Sequence, residues 1–183
     1  MNRGLRHLSE IQRIVITGSE STGKTTLARE LAARLGADWI PEFARLYAAN
    51  IARPLGSDDV EPIAHGQITL QDTALAPRHG LLVQDTDLVS TVVYARHYYG
   101  HCPEWVLSAA KERLGDLYLL LDTDVDWVPD DVRDLSNLRA EVQSLLRNQL
   151  RDFGARVVEI RGLGEARLAN ALHAVEEFRA HTC

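Results

Sequence analysis

The densest chemistry in the chain lies in nine consecutive residues, Gly18, Ser19, Glu20, Ser21, Thr22, Gly23, Lys24, Thr25 and Thr26. They contain the spacing G-x-x-x-x-G-K-T. Glycines let a backbone curl so that successive N–H groups turn inward, where phosphate oxygens satisfy them. A helix beginning near Lys24 adds its positive end to the same point. Lys24 is then placed to reach the β- and γ-phosphates, and the Thr25 hydroxyl to ligate a bridging Mg²⁺. The stretch predicts a bound nucleoside triphosphate with Mg²⁺. It says almost nothing about what receives the phosphoryl group.

Three further segments address the acceptor. In "LLVQDTD", an apolar run ends in acid, which puts Asp85 at the carboxyl edge of a sheet, where such folds bind ligands. Asp85 is a candidate for the Mg²⁺ shell or the acceptor hydroxyl; Asp87 either faces the acceptor or caps the following helix. In "WIPEFAR", Trp39 precedes Glu42 and Arg45, which are three apart on one side of a starting helix. Glu42 there can accept a hydroxyl proton or fix a ribose diol, with Arg45 pairing a phosphate or orienting Glu42. A plain surface ion pair is the bland alternative. The third segment, "DTDVDWVPDDVRDLSNLR", is acidic, too polar for core and too long for a turn. It reads as a lid near 123–140. Trp127 would seal against substrate, and Arg133 or Arg139 would reach the transferring group. His65 and Gln67 are weaker pocket candidates. Tyr94, Tyr98 and Tyr99 read as packing.

These groups need a frame. Strand-like runs at 13–18, 38–40, 80–85, 116–122 and 155–162 alternate with helix-period segments, such as Leu27, Leu31 and Leu35 before Gly36. "LYLLL" lacks polar alternation, so both its faces must be covered. The pattern predicts an α/β fold, a three-layer P-loop NTPase with a five-stranded parallel sheet between helices. Residues 1–12 read as a flexible lead-in and 13–183 as one domain.

Bulk properties fit. The 183 residues carry 45% hydrophobic and 25% charged side chains, an ordinary globular balance. A formal net charge of −6 argues against nonspecific nucleic-acid or anionic-membrane partners. Two cysteines, Cys102 and Cys183, make no disulfide framework or zinc spacing, which suggests a reducing cytoplasm. No apolar run has the length of a membrane helix.

The order of "GSESTGKTTLARELA", "PEFAR", "GQ" at 66–67, "QDTD", "YYGHCPEWV" and "DWVPDDVRDL" resembles the ribosylnicotinamide kinase domain of NadR proteins, within a P-loop ATPase-like group. The resemblance spans nearly the whole chain. It implies transfer of phosphate from ATP to nicotinamide riboside. Gly18 to Thr26 would hold ATP and Mg²⁺, while Glu42, Arg45, Asp85 and Asp87 would border the riboside. The lid would span Trp127 to Arg139. Read from the residues alone, a kinase of another small molecule and a nucleotide-dependent switch both remain open.

Overall fold

The computed structural model describes residues 12–51, 53–75, 80–124 and 135–181, the last segment with side chains from Arg139 onward. Five strands form one parallel sheet: β1 (Gln12–Thr17), β2 (Asp38–Ile40), β3 (Leu81–Asp85), β4 (Leu117–Leu121) and β5 (Val157–Ile160), in spatial order β2-β3-β1-β4-β5. β1 is central, with Ile16 opposite both Asp85 of β3 and Leu119 of β4. The expected five parallel strands are therefore present, the first beginning one residue earlier than the hydrophobic run suggested.

Side-chain alternation along the strands divides the core. Ile14, Ile16, Val83, Leu117, Leu119 and Leu121 face one side. They pack on Leu27 and Leu31 of α1 (Lys24–Leu35) and on Leu168, Ala171, Val175 and Phe178 of α7 (Gly164–Ala180). Val15 and Tyr118 face the other side, against α3 (Val60–Leu75), α4 (Leu88–Tyr99), α5 (Glu104–Glu112) and α6 (Leu135–Asp152). All five residues of β4 are buried, as a strand covered on both faces requires. α2 (Phe43–Ile51) follows β2, and a short 3₁₀ turn at Ser57–Asp59 enters α3 within the expected loop. Among the described residues no helix is long and apolar enough to cross a membrane.

Of the two roles expected for Asp87, the structure shows the helix cap and not a place in the cavity wall. Its carboxylate accepts from the Val89 N–H at 3.0 Å, capping α4, and from the hydroxyl of Tyr118 on β4. Tyr118 in turn accepts from Gly115 N–H. The group is wholly inside, because an apolar strand surface and a helix start close over it.

Burial raises the Asp87 carboxyl from 3.8 to about 6, against the pull of its hydrogen bonds. A folded pKa above the unfolded one means the protonated form is the better tolerated. The contribution is complete below pH 4 and is lost as pH rises through 6. A rise of that size costs the fold about 3 kcal/mol on ionisation. Asp87→Asn retains an acceptor for Val89 without that titration. The stability of wild type relative to Asp87→Asn should fall by about 1–3 kcal/mol between pH 4 and 7 in urea melts. A difference independent of pH contradicts the assignment.

Candidate active site

Parallel strands deliver their following loops to one edge, and the charged groups gather there. The loop after β1 runs through Gly18 at φ 146°, Ser21 at φ 55° and Gly23 at φ 82°. A Cβ at Gly18 would stand 3.0 Å from the Leu121 carbonyl, so the glycine is needed for close approach as well as for φ. α1 starts at Lys24 with no side chain capping it, which leaves its first N–H groups free for an anion.

Lys24 is buried, and its ammonium donates to the Ser19 carbonyl at 2.7 Å. Burial pulls its pKa down; the carboxylates of Glu42, Asp85 and Glu20 pull it back up. Thr25 donates its hydroxyl to Asp85 Oδ2 at 2.6 Å. The other oxygen of Asp85 is buried with no partner. This all-oxygen pair suits a hard divalent cation. No group of three or more His, Cys, Asp or Glu gathers among the described residues, so phosphate oxygens would have to complete the shell.

Distant elements hold the loop. Ser19 N–H donates to Gln143 Oε1 of α6 at 2.9 Å, and Gln143 Nε2 donates to the Leu121 carbonyl at 2.8 Å. Arg167 of α7 donates to the Thr22 carbonyl and pairs with Asp124. Arg139, one turn before Gln143 on α6, is buried with Nε and Nη2 unpartnered.

Beside the loop opens a cavity of about 570 Å³. It is lined by Glu20 and Glu42, by Ile63 and Gln67 of α3, and by Ser90, Tyr94 and Tyr98 of α4. Thr86, at φ 59° between Asp85 and Asp87, also lines it. Glu42 is raised by burial, an effect that Lys24 partly offsets. No Lys, Arg or His is among the described residues lining this cavity.

The predicted residues thus divide. Lys24, Thr25 and Asp85 meet at the sheet edge, and Glu20, Glu42 and Gln67 line the cavity. Arg45 lies 3.5 Å from Glu42 with its side chain 71% exposed, an ion pair at the rim rather than a wall residue. Trp39 is displaced from the predicted acceptor site. Its ring packs on the α1 side of the core under the Arg29 guanidinium, 4.6 Å away. His65 stacks on Trp105 at 4.4 Å and is likewise not in the wall. Trp127 and Arg133 lie outside the described residues. The tyrosines of α4, read as packing, also line the cavity, while Tyr94 packs on the core at Leu120 and Leu146 as read; the spacing 90, 94, 98 marks one helix face and was the available signal.

Comparison places this geometry among known proteins. The family model described as an AAA domain matches residues 13–167. The trifunctional NAD biosynthesis/regulator protein NadR of Escherichia coli (strain K12) is 29% identical over 159 residues, 82% of this chain and 38% of that protein. A crystal structure of a NadR protein in complex with NR has a TM-score of 0.75 and 29% identity, covering 96% of this chain and 53% of that one. Another, in complex with NAD and AMP-PNP, has a TM-score of 0.73 and 28% identity, covering 96% and 51%. The chain spans well under two thirds of these relatives.

Removing the ammonium should separate binding from folding. Lys24→Ala should weaken ATP binding at least about tenfold by calorimetric titration, the scale of one charge-assisted contact. Its melting temperature should match or exceed that of wild type, since a desolvated charge is gone. Unchanged ATP affinity contradicts the phosphate-loop assignment.

Proposed function

The chain belongs to the AAA domain family, and we propose that it transfers the terminal phosphoryl group of ATP to the primary hydroxyl of nicotinamide riboside, giving ADP and nicotinamide mononucleotide. The observation that carries this reading is a phosphate loop opening directly onto an acidic, aromatic cavity without a lining cation among the described residues. A nucleotide acceptor would bring a phosphate dianion against Glu20 and Glu42, with no cation among the described lining residues and Arg45 at the rim already paired with Glu42. A riboside with a cationic pyridinium ring meets carboxylates and the aromatic lining of Tyr94 and Tyr98. The likeness to NadR proteins in complex with NR and with AMP-PNP supports the same pair of substrates.

The residues divide the work. The backbone N–H groups of Gly18 to Thr26 and the open start of α1 receive the triphosphate. Lys24 leaves the Ser19 carbonyl for phosphate oxygens. Thr25 and the free oxygen of Asp85 fit Mg²⁺, which would neutralise charge on the phosphates when bound. Glu42 orients the acceptor hydroxyl and takes its proton as the bond to phosphorus forms; its raised pKa makes it a better base than an exposed carboxylate. Arg139, with unpaired donors one turn from the loop's Gln143 anchor, offers charge to the transferring group. Arg133 and Trp127 are proposed to close the site from the lid, excluding water as a competing acceptor.

An acceptor panel with coupled ADP detection tests this. Nicotinamide riboside should stimulate ADP release at least about a hundredfold over water, while nicotinamide mononucleotide and nucleoside monophosphates should not, as general-base and positioning contributions predict. Preference for a monophosphate refutes the reading. Glu42→Gln should lower kcat by about 10²–10⁴ with a far smaller change in KM for ATP.

A further inference from the structure

Thr86 holds a backbone conformation that its own side chain disfavours. At φ 59° it lies in the left-handed region, shared among the described non-glycine residues only with Ser21, an exposed residue of the phosphate loop. A β-branched side chain is crowded by its backbone there, and glycine is the residue such a turn ordinarily takes. The turn has a visible consequence. Along an unbroken strand Asp85 and Asp87 would share a face. Instead Asp85 meets Thr25 of α1, while Asp87 meets Tyr118, which packs with the opposite layer. Neighbouring bonds fix this reversal. The Thr86 N–H donates to the Ile16 carbonyl at 2.9 Å, and the carboxylates on either side are held by Thr25 and by the Val89 N–H. Strained residues persist where the surroundings over-determine them in this way, and they gather at functional sites.

The reversal explains the turn but not the threonine, because glycine would make it without the crowding. The side chain has a place of its own. Thr86 is 4% exposed, lines the cavity and directly follows Asp85, so it stands where the cavity meets the Thr25–Asp85 pair. Its hydroxyl has no partner among the described residues and, unlike the amide nitrogen of Gln67, is not sealed away. In the kinase reading, the end of an acceptor that reaches this junction is the end that reacts. We propose that Thr86 is kept for its hydroxyl, which hydrogen-bonds the acceptor oxygen that receives the phosphoryl group and so orients it at the Asp85 edge. The proposal rests on phosphoryl transfer to a hydroxyl, as read above, but not on which small molecule carries that hydroxyl.

Three variants separate the hydroxyl from the backbone. Thr86→Ser keeps the hydroxyl, Thr86→Ala removes it and keeps a Cβ, and Thr86→Gly removes both. Thr86→Gly should melt about 2–4 °C above Thr86→Ala, the reverse of their order at an ordinary position. With the acceptor that the panel identifies, both should lower kcat/KM for that acceptor about 10- to 100-fold and leave KM for ATP within about threefold, as loss of orientation at the reacting atom predicts. Thr86→Ser should stay within about threefold of wild type, since its hydroxyl donates and accepts as threonine's does. The more stable glycine variant is then no more active than the alanine one, which a purely structural threonine would not produce. Wild-type kcat/KM in Thr86→Gly overturns the proposal. So does a loss in Thr86→Ser equal to that in Thr86→Ala, or a defect that appears in KM for ATP instead. An alanine variant at least as stable as the glycine one removes the strain on which the proposal stands. A wild type that no acceptor stimulates refutes the kinase reading itself, which the comparison among variants does not.

Discussion

The hydrogen bond from Thr25 to Asp85, 2.6 Å long, depends on the central position of β1. β3 lies beside β1 in parallel register, with Ile16 opposite Asp85, so the acid ending one strand meets the loop leaving the other. No strand order that separated β1 from β3 would bring them together. The same edge gathers Lys24 and Glu42. A buried ammonium, a buried carboxylate with one free oxygen and a half-desolvated glutamate are costly in the absence of ligand. They are held because the sheet, α1 and α7 bury enough apolar surface to fix the backbone carrying them. In the proposed reading the site is charge kept in place for a polyanion and a cation to complete.

The cavity next to it applies the opposite sign. Its tyrosines come from α4 on the other face of the sheet, with α3 supplying Gln67 and an apolar stretch at Val60 and Ile63, while its carboxylates are Glu20 of the phosphate loop and Glu42 just before α2. Two charge environments thus adjoin, one suited to phosphate and one that repels it. In the proposed reaction that boundary would give direction to transfer, with the triphosphate on one side and a neutral or cationic acceptor on the other. The clasp from Gln143 to Ser19 and the brace from Arg167 to Thr22 keep the loop from shifting across it.

Much of this was legible because it is local. The loop is a contiguous string, and the strands show themselves as short β-branched or leucine-rich runs. Asp85 ends a strand and Glu42 closely follows one, which is enough to place them at the carboxyl edge of the sheet. What was hidden depended on partners far along the chain or on alternation over very short spans. Three-residue β2 gives no periodicity to read, so nothing indicated that Trp39 turns toward α1 and Arg29. Asp87 is two residues from Asp85 and chemically identical; the bond from Val89 N–H makes it a cap, and the hydroxyl of Tyr118, 31 residues on, occupies its other oxygen. The tyrosine face of α4 had visible helical spacing, yet spacing cannot say whether a face meets core or cavity. Gln143 and Arg167 carry no motif; their contacts to the loop span 124 and 145 residues.

The most direct measurement is a crystal structure of the protein with Mg²⁺ and a non-hydrolysable ATP analogue. The account predicts phosphates ringed by the N–H groups of Gly18 to Thr26. Lys24 Nζ should have moved from the Ser19 carbonyl to a terminal phosphate oxygen, and a metal ion should stand between Thr25 and Asp85. A nucleotide bound elsewhere, with Lys24 still on Ser19 and no metal at Asp85, would contradict it.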